Sequence, residues 1–155
     1  MLKLKMLIRY KIYSPPNLKS FTLIELLVII AIIGILVSIG SIAALNAREK
    51  GKDTAIIAHF SQLRIEATLI KNNTNSYIDL CLGGTLNTSN PDSPNLAIID
   101  GEIKKYNGNQ NLNCHSNYEN YCLQSPLPTG GGYCIDSNGY AGKTANCDGV
   151  DFSCQ

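Results

Sequence analysis

From Leu26 to Leu45 the chain runs for 20 residues without a formal charge. At about 1.5 Å of rise per residue, a helix of that length matches the roughly 30 Å hydrocarbon core of a bilayer. A membrane-spanning helix is therefore the first expectation. It also makes the overall 45% hydrophobic content misleading, because the apolar residues are concentrated near the front of the 155-residue chain.

The flanks of this run give it a direction. Residues 1–20 carry Lys3, Lys5, Arg9, Lys11 and Lys19 and no acidic residue. Basic residues stay on the cytoplasmic side of a membrane helix, so everything after Leu45 is expected to be exported. The cysteines agree: Cys81, Cys114, Cys122, Cys134, Cys147 and Cys154 all follow the run, on the side where disulfides persist. The leader holds five of the 13 basic residues, so the rest of the chain has eight basic against twelve acidic side chains. That balance argues against a basic nucleic-acid groove, and none is evident.

Residues 21 to about 73 read as one long helix of two characters. After the apolar half, Ile56, Phe60, Leu63, Ala67 and Ile70 recur at steps of four, three, four and three, a stripe along one face. Off the stripe stand Lys52, Asp53, Arg64, Glu66 and Lys71, so this half lays an apolar face on something soluble. Gly34, Gly40 and Gly51 are its weak points, each costing about 1 kcal/mol relative to alanine. The helix is expected to end in "KNNTNSY", whose short polar side chains compete for backbone hydrogen bonds.

The remaining sequence is rich in Asn, Gly and Ser, with "TLNTSNPDSPN" as a loop. Two β signals interrupt it. They are "LAIID" at residues 96–100 and "GYCIDSNGYAGK" at 132–143, where Asn138-Gly139 is a two-residue hairpin signal. The expected fold is α+β: a long N-terminal helix packed on a small antiparallel sheet with a disulfide-rich loop region. The expected segments are 1–20, a basic leader; 21–45, the membrane or core half of the helix; 46–73, its amphipathic half; and 74–155, a loop-rich β domain.

Glu25 stands at the edge of the apolar run and admits three readings. Thr22 and Glu25 have the T-x-x-E spacing of a capping box, and a carboxylate in the first turn suits the helix dipole. Alternatively, Glu25 sits at headgroup depth with no special partner. The third reading starts from Lys19-Ser20 immediately before Phe21. A cut after Ser20 would give Phe21 a protonated amine, and a carboxylate that is costly alone in lipid becomes tolerable beside an opposite charge. Between staggered helices of different copies, such a pair would fix the axial register.

These residues carry a resemblance. A basic leader ending in Lys19-Ser20 and followed by "FTLIELLVIIAIIGILVSI" resembles the class III signal of type IV pilins and of the related pseudopilins of type II secretion, over roughly residues 17 to 50. Ser20 stands where Gly is usual, and Ile42 stands where many pilins have a proline. The resemblance implies that a membrane prepilin peptidase cuts between Ser20 and Phe21 and methylates the Phe21 amine, and that Glu25 then pairs with Phe21 of a neighbouring subunit. It further implies a structural subunit rather than an enzyme, with no cofactor. Its partners would be membrane lipid, further copies of itself in a helical filament, and the pilus assembly platform with its ATPase. The precursor would lie in the cytoplasmic (inner) membrane as a single-pass protein with its N-terminus inside, and the assembled subunit in an extracellular filament at the cell surface.

No enzymatic constellation is legible. The motifs G-x-S-x-G, P-loop and H-E-x-x-H are absent, and neither His59 nor His115 has an evident catalytic partner. The six cysteines include no C-x-x-C, so disulfides are favoured over a metal site. Spacing does not choose among the pairings. The expectation is that Cys147 and Cys154 close a small C-terminal loop and that Cys81 tethers the loop after the helix. No metal is expected, although some pseudopilins hold calcium, which leaves Asp148 and Asp151 as weak candidates. Asn72 and Asn87 fit the N-glycosylation pattern. Five of the eight tyrosines follow residue 100, either as surface contacts or in the core.

The expected function is that of a pilin in a type IV pilus-like filament. A minor pilin or a pseudopilin shares every N-terminal feature. From a different class comes a secreted, disulfide-rich binding domain released by ordinary signal peptidase, with Ser41-Ile42-Ala43 offering the small residues it needs. A permanently membrane-anchored surface protein is a further alternative.

Overall fold

The computed structural model describes residues 21–143 and 146–155. The leader, including Lys19 and Ser20, lies outside the described residues. The chain divides into two compact units, parted between Ser41 and Ile42.

In the first unit, Thr22 precedes helix α1 (Leu23–Thr74, 52 residues). The helix passes through Gly34, Gly40 and Gly51 without a break. Where the sequence is apolar all round, the side chains find no cover; Ile30, for example, is 62% exposed. The hydroxyls of this stretch are satisfied by the helix itself, Ser38 Oγ donating to the Ile35 carbonyl and Ser41 Oγ to the Val37 carbonyl, each at 2.8 Å. Back-bonding of this kind leaves no polar group in need of water.

In the second unit the same helix becomes amphipathic. Ile56, Phe60, Leu63, Ala67 and Ile70, the five residues of the stripe, are fully buried. The helix ends in the polar run as expected: Asn75 takes a left-handed φ of 57°, and Thr74 Oγ1 donates to the Ile70 carbonyl at 2.9 Å. After a single 3-10 turn (Ile78–Leu80), strands β1 (Cys81–Leu82) and β2 (Thr85–Leu86) form a small hairpin. Its turn, Gly83-Gly84, has φ of 61° and 82°, a pair of positive values that glycine reaches without strain.

Residues 96–100, expected as a strand, belong instead to helix α2 (Asn95–Tyr106). Its buried positions Leu96, Ile99, Asp100 and Ile103 have helical spacing. The apolar pattern becomes decisive only when it is extended past Gly101 to Ile103. Lys104 and Lys105 in the last turn suit the helix dipole, and Lys104 pairs with Asp100 at 2.6 Å.

The main sheet is a four-stranded antiparallel meander of β3 (Asn113–Ser116), β4 (Tyr121–Pro126), β5 (Gly132–Asp136) and β6 (Ala141–Lys143), in that order. Its two faces separate by strand alternation. Cys114, Tyr121, Leu123 and Ile135 join the helix stripe in one core, where Phe60 and Tyr133 meet edge to face at 5.4 Å between ring centroids. Cys122 and Cys134 face the other way and meet Cys147 and Cys154 of the C-terminal segment in a second buried cluster. The β5–β6 turn occupies three residues, Ser137–Gly139, rather than two. Asp136 N–H donates to the Tyr140 carbonyl across it, and Gly139 takes φ 95°. The Asp136 carboxylate fixes this longer loop by accepting the Asn138 and Tyr140 amides.

Candidate functional site

The start of α1 is built by two side chains. Thr22 N–H donates to Glu25 Oε2 at 2.9 Å, Thr22 Oγ1 donates to the same oxygen at 2.8 Å, and Glu25 N–H donates back to Thr22 Oγ1 at 3.3 Å. This is a reciprocal capping box, satisfying main-chain donors that no helical carbonyl reaches. Both bonds to the carboxylate use Oε2, and Oε1 has no partner among the described residues. Capping and a second, intermolecular partner are therefore compatible. Phe21, immediately before the box, is exposed. The helix that follows is long and apolar enough to cross a membrane, and no residue of its most apolar window is buried. Chemically, the segment offers one carboxylate at the start of a helix and a large apolar surface.

The second unit is tied together by buried carboxylates. Asp53 is only 3% exposed. Its carboxylate accepts the Thr129 N–H, the Thr129 hydroxyl and, at 3.1 Å, the Lys143 ammonium. Burial pushes the Asp53 carboxyl up, but the hydrogen bonds from Thr129 and Lys143 outweigh it and hold the group below the ordinary aspartate range. Glu66 accepts the Ser93 hydroxyl and, at 2.9 Å, the Asn95 amide, which fixes the entry to α2. Asp136 adds the Cys154 N–H to its two turn amides. Arg64 donates to the Tyr140 carbonyl at 2.5 Å, and Lys71 to the Tyr118 carbonyl at 3.0 Å. Burial pushes the Tyr121 phenol up, with Arg64 acting in the opposite direction.

Asp53 and Glu66 stand off the apolar stripe in the sequence, yet both are buried. A signal for Asp53 was present, since stepping back three from Ile56 continues the stripe's own spacing onto it. Nothing comparable marked Thr129 or Ser93, which arrive from distant loops.

The disulfides are Cys81–Cys114, Cys122–Cys147 and Cys134–Cys154. Cys81 does tether the segment after the helix, through β3. The expected Cys147–Cys154 bond is not formed. Those two residues lie opposite each other in an isolated antiparallel bridge, but each reaches down to the sheet beneath. Cys122 pairs in register with Asp136 and Cys134 with Gln124, so the two sheet cysteines sit on a diagonal and each meets one cysteine of the segment. The result is a C-terminal clip pinned twice across one sheet face.

The other candidate residues have ordinary surroundings. His59 stacks on Tyr106 at 6.4 Å between ring centroids. A Cβ placed at Gly149 would lie 2.9 Å from a His115 ring nitrogen, so the two pack closely. Asp148 caps the clip by accepting the Val150 N–H at 2.8 Å. Among the described residues, no three His, Cys, Asp or Glu side chains converge as metal ligands would, and Asp148 and Asp151 belong to no such group. Tyr121 is buried, Tyr106 and Tyr133 lean on the core, and Tyr118 and Tyr140 are exposed, so the late tyrosines divide between core and surface.

Residues 17–41 match the family model described as the prokaryotic N-terminal methylation motif. No curated protein and no solved structure matches the chain.

Proposed function

We propose that the chain, whose residues 17–41 match the prokaryotic N-terminal methylation motif, is a structural subunit of a type IV pilus-like filament, drawn from the membrane through α1. The observation that carries this reading is the pairing of a capping carboxylate at the first turn with an apolar helix surface that no described residue buries. In lipid that surface is solvated by acyl chains, and in a filament by the helices of neighbouring copies. The apolar area thus stays covered throughout the transfer.

In this reading the prepilin peptidase cuts between Ser20 and Phe21 and methylates the new amine, which keeps its charge. Glu25 holds the cap with one oxygen and receives the Phe21 amine of the next copy on the other. A contact between two different surfaces of identical subunits does not close on itself and extends as a helix. The assembly platform and its ATPase supply the work. The role is structural, not catalytic.

The test is intact mass with N-terminal peptide sequencing of the protein taken from its native membrane or surface fraction. A mature chain starting at methylated Phe21 is expected. A start near Ala44 would overturn the proposal, because the assembling helix would have been discarded. An unprocessed Met1 in the surface fraction would point to a permanent anchor. Isolation of bulk filaments of this chain then separates a major pilin from a minor pilin or pseudopilin.

A further inference from the structure

On the sheet face away from α1, beside the C-terminal clip, lies a cleft of about 480 Å³. That is within the usual range for small-ligand sites, roughly 300–1,000 Å³. Among the described residues its wall has no ionisable side chain; five of the described lining residues are carboxamides, and the remainder are proline and glycine. We propose that this cleft binds a neutral, hydroxyl-rich ligand, a short uncharged glycan. The assignment goes beyond the filament reading and does not depend on it.

Three of the amides are held in place by the fold. Gln124 donates to Asn146 Oδ1 at 3.1 Å and accepts the Cys147 N–H at 3.2 Å, and Asn113 donates to the Cys147 carbonyl at 3.3 Å. Gly132 makes this arrangement possible, since a Cβ there would lie 2.7 Å from Gln124 Nε2. The two disulfides of the clip hold Cys147 and Cys154, and with them Asn146, against the sheet. The wall is therefore organised before any ligand arrives, which lowers the ordering cost of binding.

The other two amides are not used by the fold. Gln110 and Asn111 are exposed, and their side chains make no hydrogen bond among the described residues. The backbone of Gln110 is nonetheless fixed, because buried Asn107 accepts the Gln110 N–H at 3.0 Å and donates to its carbonyl at 2.9 Å. Each carboxamide offers two donors and an acceptor oxygen, a pattern that vicinal hydroxyls and acetamido groups match on both counts. A charged ligand would find no counter-ion here.

The experiment is saturation-transfer NMR on the detergent-solubilised full chain. Maltotriose, lactose and chitotriose are the neutral probes, with sialyllactose and a neutral Asn/Gly/Ser peptide as competitors. At least one neutral sugar is expected to bind, and neither competitor is expected to displace it. Gln110→Ala and Asn111→Ala remove no intrachain bond, so the fold should survive, as disulfide mapping and near-UV circular dichroism would verify. Each should weaken binding about tenfold. No saturation transfer to any neutral sugar, preferential binding of the peptide or the sialylated sugar, or binding untouched in the double variant would each overturn the proposal. None of these outcomes bears on whether Phe21 is methylated or filaments form.

Discussion

Helix α1 places two kinds of apolar residue side by side in one element. Phe60 and its stripe neighbours have no exposure, whereas Ile30 is 62% exposed and the apolar residues around it are similarly uncovered. Both halves carry large aliphatic side chains, but among the described residues only those of the second half's stripe are buried. The difference teaches that the second unit, the head, is finished by intrachain packing and cross-links, while the first half presents an apolar surface that no described residue buries.

The largest effect should come from the stripe. Phe60→Ala removes a fully buried ring that meets Tyr133, and such truncations cost about 3–5 kcal/mol. Denaturant unfolding of the full chain in detergent, followed by tyrosine fluorescence of the head, would measure this. Ile30→Ala in the same assay should change head stability by less than about 0.5 kcal/mol. Equal losses in the two variants would break the comparison. Next in size is the clip. Replacing Cys122 and Cys147 together by Ser opens a link of sequence separation 25 and should cost about 3 kcal/mol. The Cys134–Cys154 bond should persist, as peptide mapping under non-reducing conditions would report.

The long helix, its stripe and its polar end were legible because each rests on short-range spacing. The capping box was legible for the same reason, its partners being three residues apart. What stayed hidden depends on long-range register. The stretch 96–100 is too short to tell strand from helix by periodicity, and the decision lies with Ile103 and with the packing of α2 on the core. The disulfides were illegible because the diagonal of Cys122 and Cys134 exists only after β4 and β5 have paired. Similarly, Asp53 could be seen as a continuation of the stripe, but its partner Thr129 is 76 residues away.

That buried carboxylate gives the head an acid sensitivity. The folded-state pKa of Asp53 lies below its unfolded value, so the unfolded chain binds more protons as pH falls. Its contribution to stability is fully present above the unfolded value of about 3.9 and is lost as pH falls through the folded one. Asp53→Asn should therefore destabilise the head at neutral pH and flatten its stability curve below about pH 4. Denaturation midpoints from pH 7 down to 2 would show whether the slope of the variant is smaller. An unchanged slope would assign the acid response to other carboxylates.

The smallest effect should appear at the helix start. Thr22→Ala removes the hydroxyl that both accepts the Glu25 N–H and donates to the carboxylate, while leaving the Thr22 backbone donor in place. Loss of an N-cap residue costs about 1 kcal/mol. Here the cost is expected to fall on the first turn alone. Hydrogen exchange at Leu23 to Leu26 should accelerate about fivefold, with exchange at Ile56 to Ile70 unchanged. Thr22→Ser should restore the slow rate, because the hydroxyl supplies the bonds and the methyl does not. A fivefold gain that reached Ile56 to Ile70 would mean that the two halves of α1 open together and that their different surroundings do not divide the helix energetically.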